Sequence, residues 1–171
     1  FDHATGTVPR PRMLLNKRTS DAHDNPALTI DGNGRLWVFS NAHGTGRSAY
    51  LHRSREPYSI DEFEQLYTTN FSYSQPHWHP DYGFLLLHTR YRDGRRCLFH
   101  MTSRDGWHWS ESTMLAGFDK GHYQTSWQRG ARIGTVFNYH PEPVGLNHRT
   151  NLYYVESEDA GQSWRTAAGD T

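Results

Sequence analysis

Seven side chains in this sequence are of types that move protons or hold anions, and they stand at corresponding places along the chain. His23, Tyr73 and the adjacent pair His122 and Tyr123 each come just before a short strand-like run, while His43, Arg90 and His140 each come just after a later one. Imidazole and phenol groups can take or give a proton, and a guanidinium offers a two-pronged donor to a carboxylate. The chemistry that suits such a set is proton transfer beside an acidic group. Residues this far apart in sequence can act together only if a repeated scaffold returns them to one place.

The chain carries such a repeat. Three apolar runs, Leu36 to Asn41, Phe84 to Arg90 and Ile133 to Tyr139, are each followed by a second strand-like run, Ser48 to Ser54, Cys97 to Ser103 and Leu152 to Ser157. The closing serines Ser54, Ser103 and Ser157 lie 49 and 54 residues apart. Each unit opens with its own short strand, Pro26 to Ile30, Pro76 to His79 and Gln124 to Trp127, followed by a turn rich in Gly, Asn or Asp. Four antiparallel strands in about fifty residues is the mark of a β-propeller blade. The expected fold is therefore all-β, a partial β-propeller domain over residues 1–171 with blades at approximately 20–70, 71–120 and 121–171. A β-sandwich also has many short strands, but gives them no reason to repeat in frame. Three blades do not close a ring, which typically needs about four to eight. The chain also opens without Met or an apolar leader, so it is expected to be an excerpt of a longer one.

A turn motif supports the repeat. Ser103-Arg-Asp105-Gly106-Trp-His-Trp109 and Ser157-Glu-Asp159-Ala-Gly161-Gln-Ser-Trp164 agree apart from one residue of length. The Asp carboxylate can accept from its own turn, Gly takes a positive φ, and Trp fills the gap between neighbouring sheets. That role is structural. The matching stretch of the first unit, from Arg53 to Phe63, has lost the motif.

Composition narrows the function. The 171 residues balance 18 basic against 18 acidic side chains, which leaves no electrostatic footprint for nucleic acid. The longest apolar stretch, Phe84 to Leu87, is far short of a membrane helix. A single cysteine, Cys97, rules out an internal disulfide framework. Twelve histidines, ten tyrosines and six tryptophans are left as the unusual feature.

Aligning Pro26 with Pro76 sets His23 against Tyr73, and the third unit offers His122 and Tyr123 at that place. His43, Arg90 and His140 form a second set at the end of each unit's second strand. The start of one strand and the end of its antiparallel neighbour share one edge of a sheet, so both sets should face one end of the propeller. Plainer roles stay open: His23 between Asp21 and Asp24 as an exposed turn residue, His43 as a loop residue, Arg90 paired with Asp93 or a neighbouring blade, and the tyrosines as packing between blades. His77 and His79 share one face of a strand and could bind a metal, and Cys97 with His100, His140 or His148 could hold zinc, although no compact ligand spacing supports that. Asn151 and Arg149 are assigned to a loop inserted from Pro141 to His148, with a substrate subsite as the alternative.

The Ser-x-Asp-x-Gly-x-x-Trp turns resemble the Asp-boxes, or BNR repeats, of sialidase-like propellers. The ordered segments Asp21-Ala-His-Asp-Asn-Pro-Ala-Leu, Phe71-Ser-Tyr-Ser-Gln-Pro, His88-Thr-Arg-Tyr, Gly121-His-Tyr-Gln, Phe137-Asn-Tyr-His-Pro and Arg149-Thr-Asn-Leu-Tyr-Tyr resemble the BNR-4 repeat family over nearly the whole chain. That family includes seven-bladed ulvan lyases and related uronate polysaccharide lyases. The resemblance implies a seven-bladed ring that cleaves an acidic polysaccharide by β-elimination, secreted or periplasmic, with no cofactor required and room for a structural zinc or calcium ion. It further implies His23 and Tyr73 as the acid/base pair with His43 and Arg90 close by and Tyr123 as a further contact, and the repeat frame adds His122 and His140 to Tyr123 as substrate-binding candidates. Two other readings are a sialidase-like glycoside hydrolase and a non-catalytic glycan-binding propeller. The hydrolase would need three clustered arginines, of which Val8-Pro-Arg-Pro is a poor echo, and an acidic proton donor, and neither polar set contains a carboxylate.

Overall fold

The computed structural model describes residues 1–118, 121–141 and 147–171, so the interior of the inserted loop expected from Pro141 to His148 lies outside the described residues. Twelve strands form three sheets. β1 (Pro26–Ile30), β2 (Leu36–Ser40), β3 (Ala49–Ser54) and β4 (Phe63–Thr69) make the first, β5 (Ser72–His79), β6 (Gly83–Arg92), β7 (Arg95–Ser103) and β8 (Thr113–Ala116) the second, and β9 (Gln124–Arg129), β10 (Arg132–Tyr139), β11 (Thr150–Ser157) and β12 (Arg165–Thr166) the third. Each sheet is an antiparallel meander in chain order. A single short 3₁₀ turn, Ala22–Asp24, precedes β1, and none of the described helices is long and apolar enough to cross a membrane. The innermost strands of successive sheets are neighbours, β1 beside β5 and β5 beside β9, which is the arrangement of about three propeller blades.

Burial explains the second unit's apolar run. Phe84 and Leu86 of β6 pack with Trp37, Phe39 and Leu51 of the first sheet, while Leu85 and Leu87 pack with Ile133 and Ala160 of the third. Successive side chains of a strand point to opposite faces, so a middle blade covered on both sides needs apolar residues at every position.

The turn motif joins the blades. Ser103 Oγ donates to Asp105 Oδ1 at 3.2 Å, and the same carboxylate oxygen accepts from the backbone N–H groups of Trp107 and His108, each at 2.8 Å. In the second copy Asp159 Oδ1 accepts from Ser157 Oγ at 2.7 Å and from Ser163 N at 2.8 Å. The glycines serve two ends at once. Gly106 and Gly161 have φ of +78° and +96°, and a Cβ on them would meet the Trp37 ring at 2.2 Å and a Leu85 methyl at 2.5 Å. Each turn thus lets the core of the preceding blade close against it. Trp109 and Trp164 pack into the same two cores.

Several histidines are absorbed by this packing. His88 on β6 is fully buried, with Nε2 3.3 Å from Ser112 Oγ. Burial, reinforced by the charges of Arg90 and His100, pushes its pKa down to about 3. The unfolded chain takes up this proton near the ordinary imidazole pKa of about 6.5, whereas the folded chain holds it off until about 3. His88 therefore destabilises the fold progressively as pH falls through that window, by about 1.4 kcal/mol per pH unit. His52, His77, His100, His122 and His140 are also lowered, first by burial, and act in the same direction. Urea unfolding of the full-length protein should show a clear fall in midpoint between pH 7 and pH 5. A flat midpoint over that range would contradict the buried neutral histidines.

Candidate functional site

The site begins with one carboxylate. Asp21 caps the Ala22–Asp24 turn by accepting from the His23 backbone N–H at 3.0 Å, which folds the His23 side chain back onto it. Asp21 Oδ1 lies 2.6 Å from His23 Nδ1. Its other oxygen lies 2.8 Å from His43 Nδ1 and accepts from Arg47 at 2.8 Å, both residues coming from the β2–β3 connection. Arg47 also reaches the buried carboxylate of Asp24 through two hydrogen bonds, at 2.9 and 3.0 Å, and Lys17 stands 3.4 Å from Asp24. The two imidazoles stack with ring centres 4.1 Å apart. The hydrogen bonds from His23, then His43 and Arg47, hold the Asp21 pKa well below the usual carboxylate range. An ionised carboxylate only accepts, so both Nδ1 atoms must carry hydrogen. The Nε2 lone pairs of His23 and His43 are thereby left as bases.

Tyr73 meets this pair from the second blade. Its ring stands edge-on to His23 and His43, with centres 6.0 and 6.2 Å away. The backbone that presents it is irregular: Tyr73 has φ +53°, and the β5–β6 register shifts between Ser72 and Gln75. A bulge re-aims a side chain out of the strand's alternation. Buried Asn41 holds it there, since its Oδ1 accepts from Ser74 N at 2.9 Å while its Nδ2 donates to Asn25 O at 2.6 Å. One side chain thus ties the bulge to the residue just ahead of β1.

Beyond Tyr73 the site becomes cationic. Tyr123 lies 5.3 Å from Tyr73 between ring centres, and His140 lies 5.6 Å from Tyr123. The Arg96 guanidinium is 5.1 Å from the Tyr73 ring centre and 4.6 Å from that of Tyr123, and it donates to the Tyr73 hydroxyl at 3.4 Å. Arg149 is 4.3 Å from the Tyr123 ring centre. Arg96 is buried, its Nε has no hydrogen-bond partner, and among the described residues no carboxylate pairs with it. Gly121, at φ +51°, makes room for it, because a Cβ there would lie 2.8 Å from its terminal nitrogen. Burial, and then the hydrogen bond with Tyr123, push the Tyr73 pKa up. Burial would also raise Tyr123, but the hydrogen bond with Tyr73 and the guanidiniums of Arg96 and Arg149 outweigh it and lower that phenol's pKa.

The structure thus brings together His23, His43, Tyr73, Tyr123 and His140, and separates two residues expected with them. His122 is fully buried, with Nδ1 2.8 Å from Asn138 O and Nε2 accepting from Phe118 N at 3.2 Å, so both ring nitrogens serve the scaffold. Arg90 donates to Ser112 Oγ at 3.2 Å in a small cleft shared with His88, Asn70 and Trp109. Arg96 takes the place beside the tyrosines that was expected of Arg90. Asn151, assigned to the inserted loop, donates to Tyr153 Oη at 2.8 Å. Asp21, Arg47, Asn41 and Arg96 are absent from the sequence-derived set. The Asp21-x-His23 spacing at a turn was a usable signal for the first. In Arg95-Arg96, strand alternation exposes one arginine and buries the other, but the sequence does not say which.

For a metal, only Asp21, His23 and His43 bring three ligand atoms within 4.8 Å among the described residues. A dication there would displace both Nδ1 protons and meet the Arg47 guanidinium on the same carboxylate, so the charge around the group opposes it. The other sets do not converge. His77 Nε2 is 2.8 Å from Ser126 Oγ, His79 Nδ1 accepts from Asp81 N at 3.1 Å, and Cys97 forms no such group with His100, His140 and His148.

Residues 10–171 match the sequence profile of BNR repeat-containing family members. Among solved structures, one described as a new family of polysaccharide lyase, PL25 ulvan lyase, is similar with a TM-score of 0.72 and 20% identity, over 88% of this chain and 42% of that one. A second structure so described, bound to -[GlcA(1-4)Rha3S]-, matches equally well, at 0.72 and 20%. At this identity the likeness shows the fold, and the chain spans less than half the length of those enzymes. No curated protein sequence matches the chain significantly.

Proposed function

The chain belongs to the BNR repeat-containing family, and on that footing we propose that it forms part of a polysaccharide lyase that cleaves a uronate-containing glycan by β-elimination. The observation that carries this reading is the juxtaposition of two Asp21-oriented imidazoles and the Tyr73 phenol with the Arg96 guanidinium, which has no carboxylate partner among the described residues. A buried cation without a counter-ion is costly, and an anionic ligand group relieves that cost. The substrate carboxylate would lie against Arg96, with Arg149 close by, which lowers the charge that builds up when the carbon next to it loses its proton. An imidazole Nε2 of the His23–His43 pair takes that proton. The Tyr73 hydroxyl gives its own to the departing glycosidic oxygen.

The likeness to a lyase solved with an acidic disaccharide repeat supports the substrate class. The 42% coverage fits a ring of which these three blades are under half, and a protein acting on an acidic polymer of this kind would work outside the cytoplasm, secreted or periplasmic. The full-length protein, incubated with ulvan and other uronate polysaccharides, should generate the ultraviolet absorbance of unsaturated uronate ends. A folded protein that produces none from any of them would overturn the reading.

A further inference from the structure

We propose that Tyr123 is a proton-relay residue that resets Tyr73 after each turnover, an inference that rests on the lyase reading above. Once Tyr73 has protonated the leaving oxygen it is a phenolate in a half-buried position, and the next turnover requires its proton back. Tyr123 is the hydroxyl group placed to return it. The two rings are 5.3 Å apart, and Tyr123 has two guanidiniums within 4.6 Å of its centre, Arg96 from β7 and Arg149 from just before β11. Among the described residues, His140, after β10, and Tyr73, on β5, are the other titratable groups whose rings face it. No carboxylate pairs with either arginine among the described residues.

The step balances. The Tyr123 O–H bond breaks and the Tyr73 O–H bond forms, so the negative charge moves from the more deeply buried phenol to the one beside both arginines. Solvent then reprotonates Tyr123, and the imidazolium formed at the base returns its proton to solvent. The directions of the two phenol pKa values, Tyr73 raised and Tyr123 lowered, agree with a downhill transfer.

Two readouts on the full-length protein test this. In an ultraviolet tyrosinate titration, the earliest phase should lose one phenol's amplitude in Tyr123→Phe. In lyase assays Tyr123→Phe should lower kcat about tenfold with KM nearly unchanged, and concentrated small proton donors in the buffer should restore most of the loss. If Tyr123→Phe keeps the full amplitude of that earliest phase, or if its kcat defect ignores buffer concentration, the relay is overturned. Absence of turnover in the unsubstituted protein overturns the relay together with the lyase reading, and the titration phase separates that failure from a wrong assignment of the phenol.

Discussion

Tyr73→Phe is expected to lower kcat on an acidic polysaccharide by about a hundredfold to ten-thousandfold while leaving the fold intact, since it removes one hydroxyl and keeps the ring. The ring edges against His23, His43 and Tyr123 remain, and so does the bulge, which is held by Asn41 through the neighbouring Ser74. The hydroxyl's partner, Arg96, keeps its place against both rings. Binding of the glycan should therefore survive within a few-fold while turnover is lost. Equal loss of binding and turnover would instead make Tyr73 a contact residue. Circular dichroism and glycan affinity, measured beside kcat, separate the two.

Asp21→Asn should cost about as much, again on the order of a hundredfold to ten-thousandfold, through residues it never replaces. The substitution keeps the side chain's shape and cap oxygen but loses the charge that both imidazoles and Arg47 share. An amide can donate to one imidazole nitrogen, which forces that ring to place its proton on Nε2 and withdraws it as a base. With the cap oxygen kept toward His23, the ring so withdrawn is that of His43, while His23 keeps its acceptor but loses the carboxylate's charge. His23→Ala alone would be milder if His43 is the base, and the reverse holds for His43→Ala. The ordering to measure is kcat for Asp21→Asn against each single histidine variant. A variant with full activity at Asp21 would remove the carboxylate from the mechanism.

Much of the architecture was legible in the sequence, because a propeller repeats its instructions. The serine spacing, the Gly-bearing turns and the three apolar runs foretold three four-stranded meanders and most strand starts, β1 to the residue. β5 begins four residues earlier than its Pro76 suggested, because Ser72 and Tyr73 join it through a bulge. That bulge depends on a hydrogen bond from Ser74 to Asn41, a contact 33 residues away in sequence that no local pattern encodes.

The site was legible where blade equivalence governs it and hidden where strand parity does. His23 and Tyr123 precede the innermost strands of their blades, Tyr73 lies in the bulged start of its own, and His43 and His140 follow the second strands, so the repeat carries them to one end. Arg90 has the same parity as His88, which faces Phe71, and it goes to the cleft between the first two sheets. Arg96 has the same parity as Leu98, which packs with Phe137 of the third sheet, and so reaches Tyr123. In the run from Gly121 to Tyr123 one residue was bound to enter the scaffold, and the backbone groups of Asn138 and Phe118 take up His122.

The most direct test is a product analysis in water enriched in heavy oxygen. Full-length protein acting on a uronate polysaccharide should release fragments that carry an unsaturated uronate, are one water lighter than hydrolysis products and contain no solvent oxygen. Fragments that carry one solvent oxygen and no double bond would show hydrolysis, and would contradict the proton-transfer chemistry assigned to His23, His43, Tyr73 and Arg96.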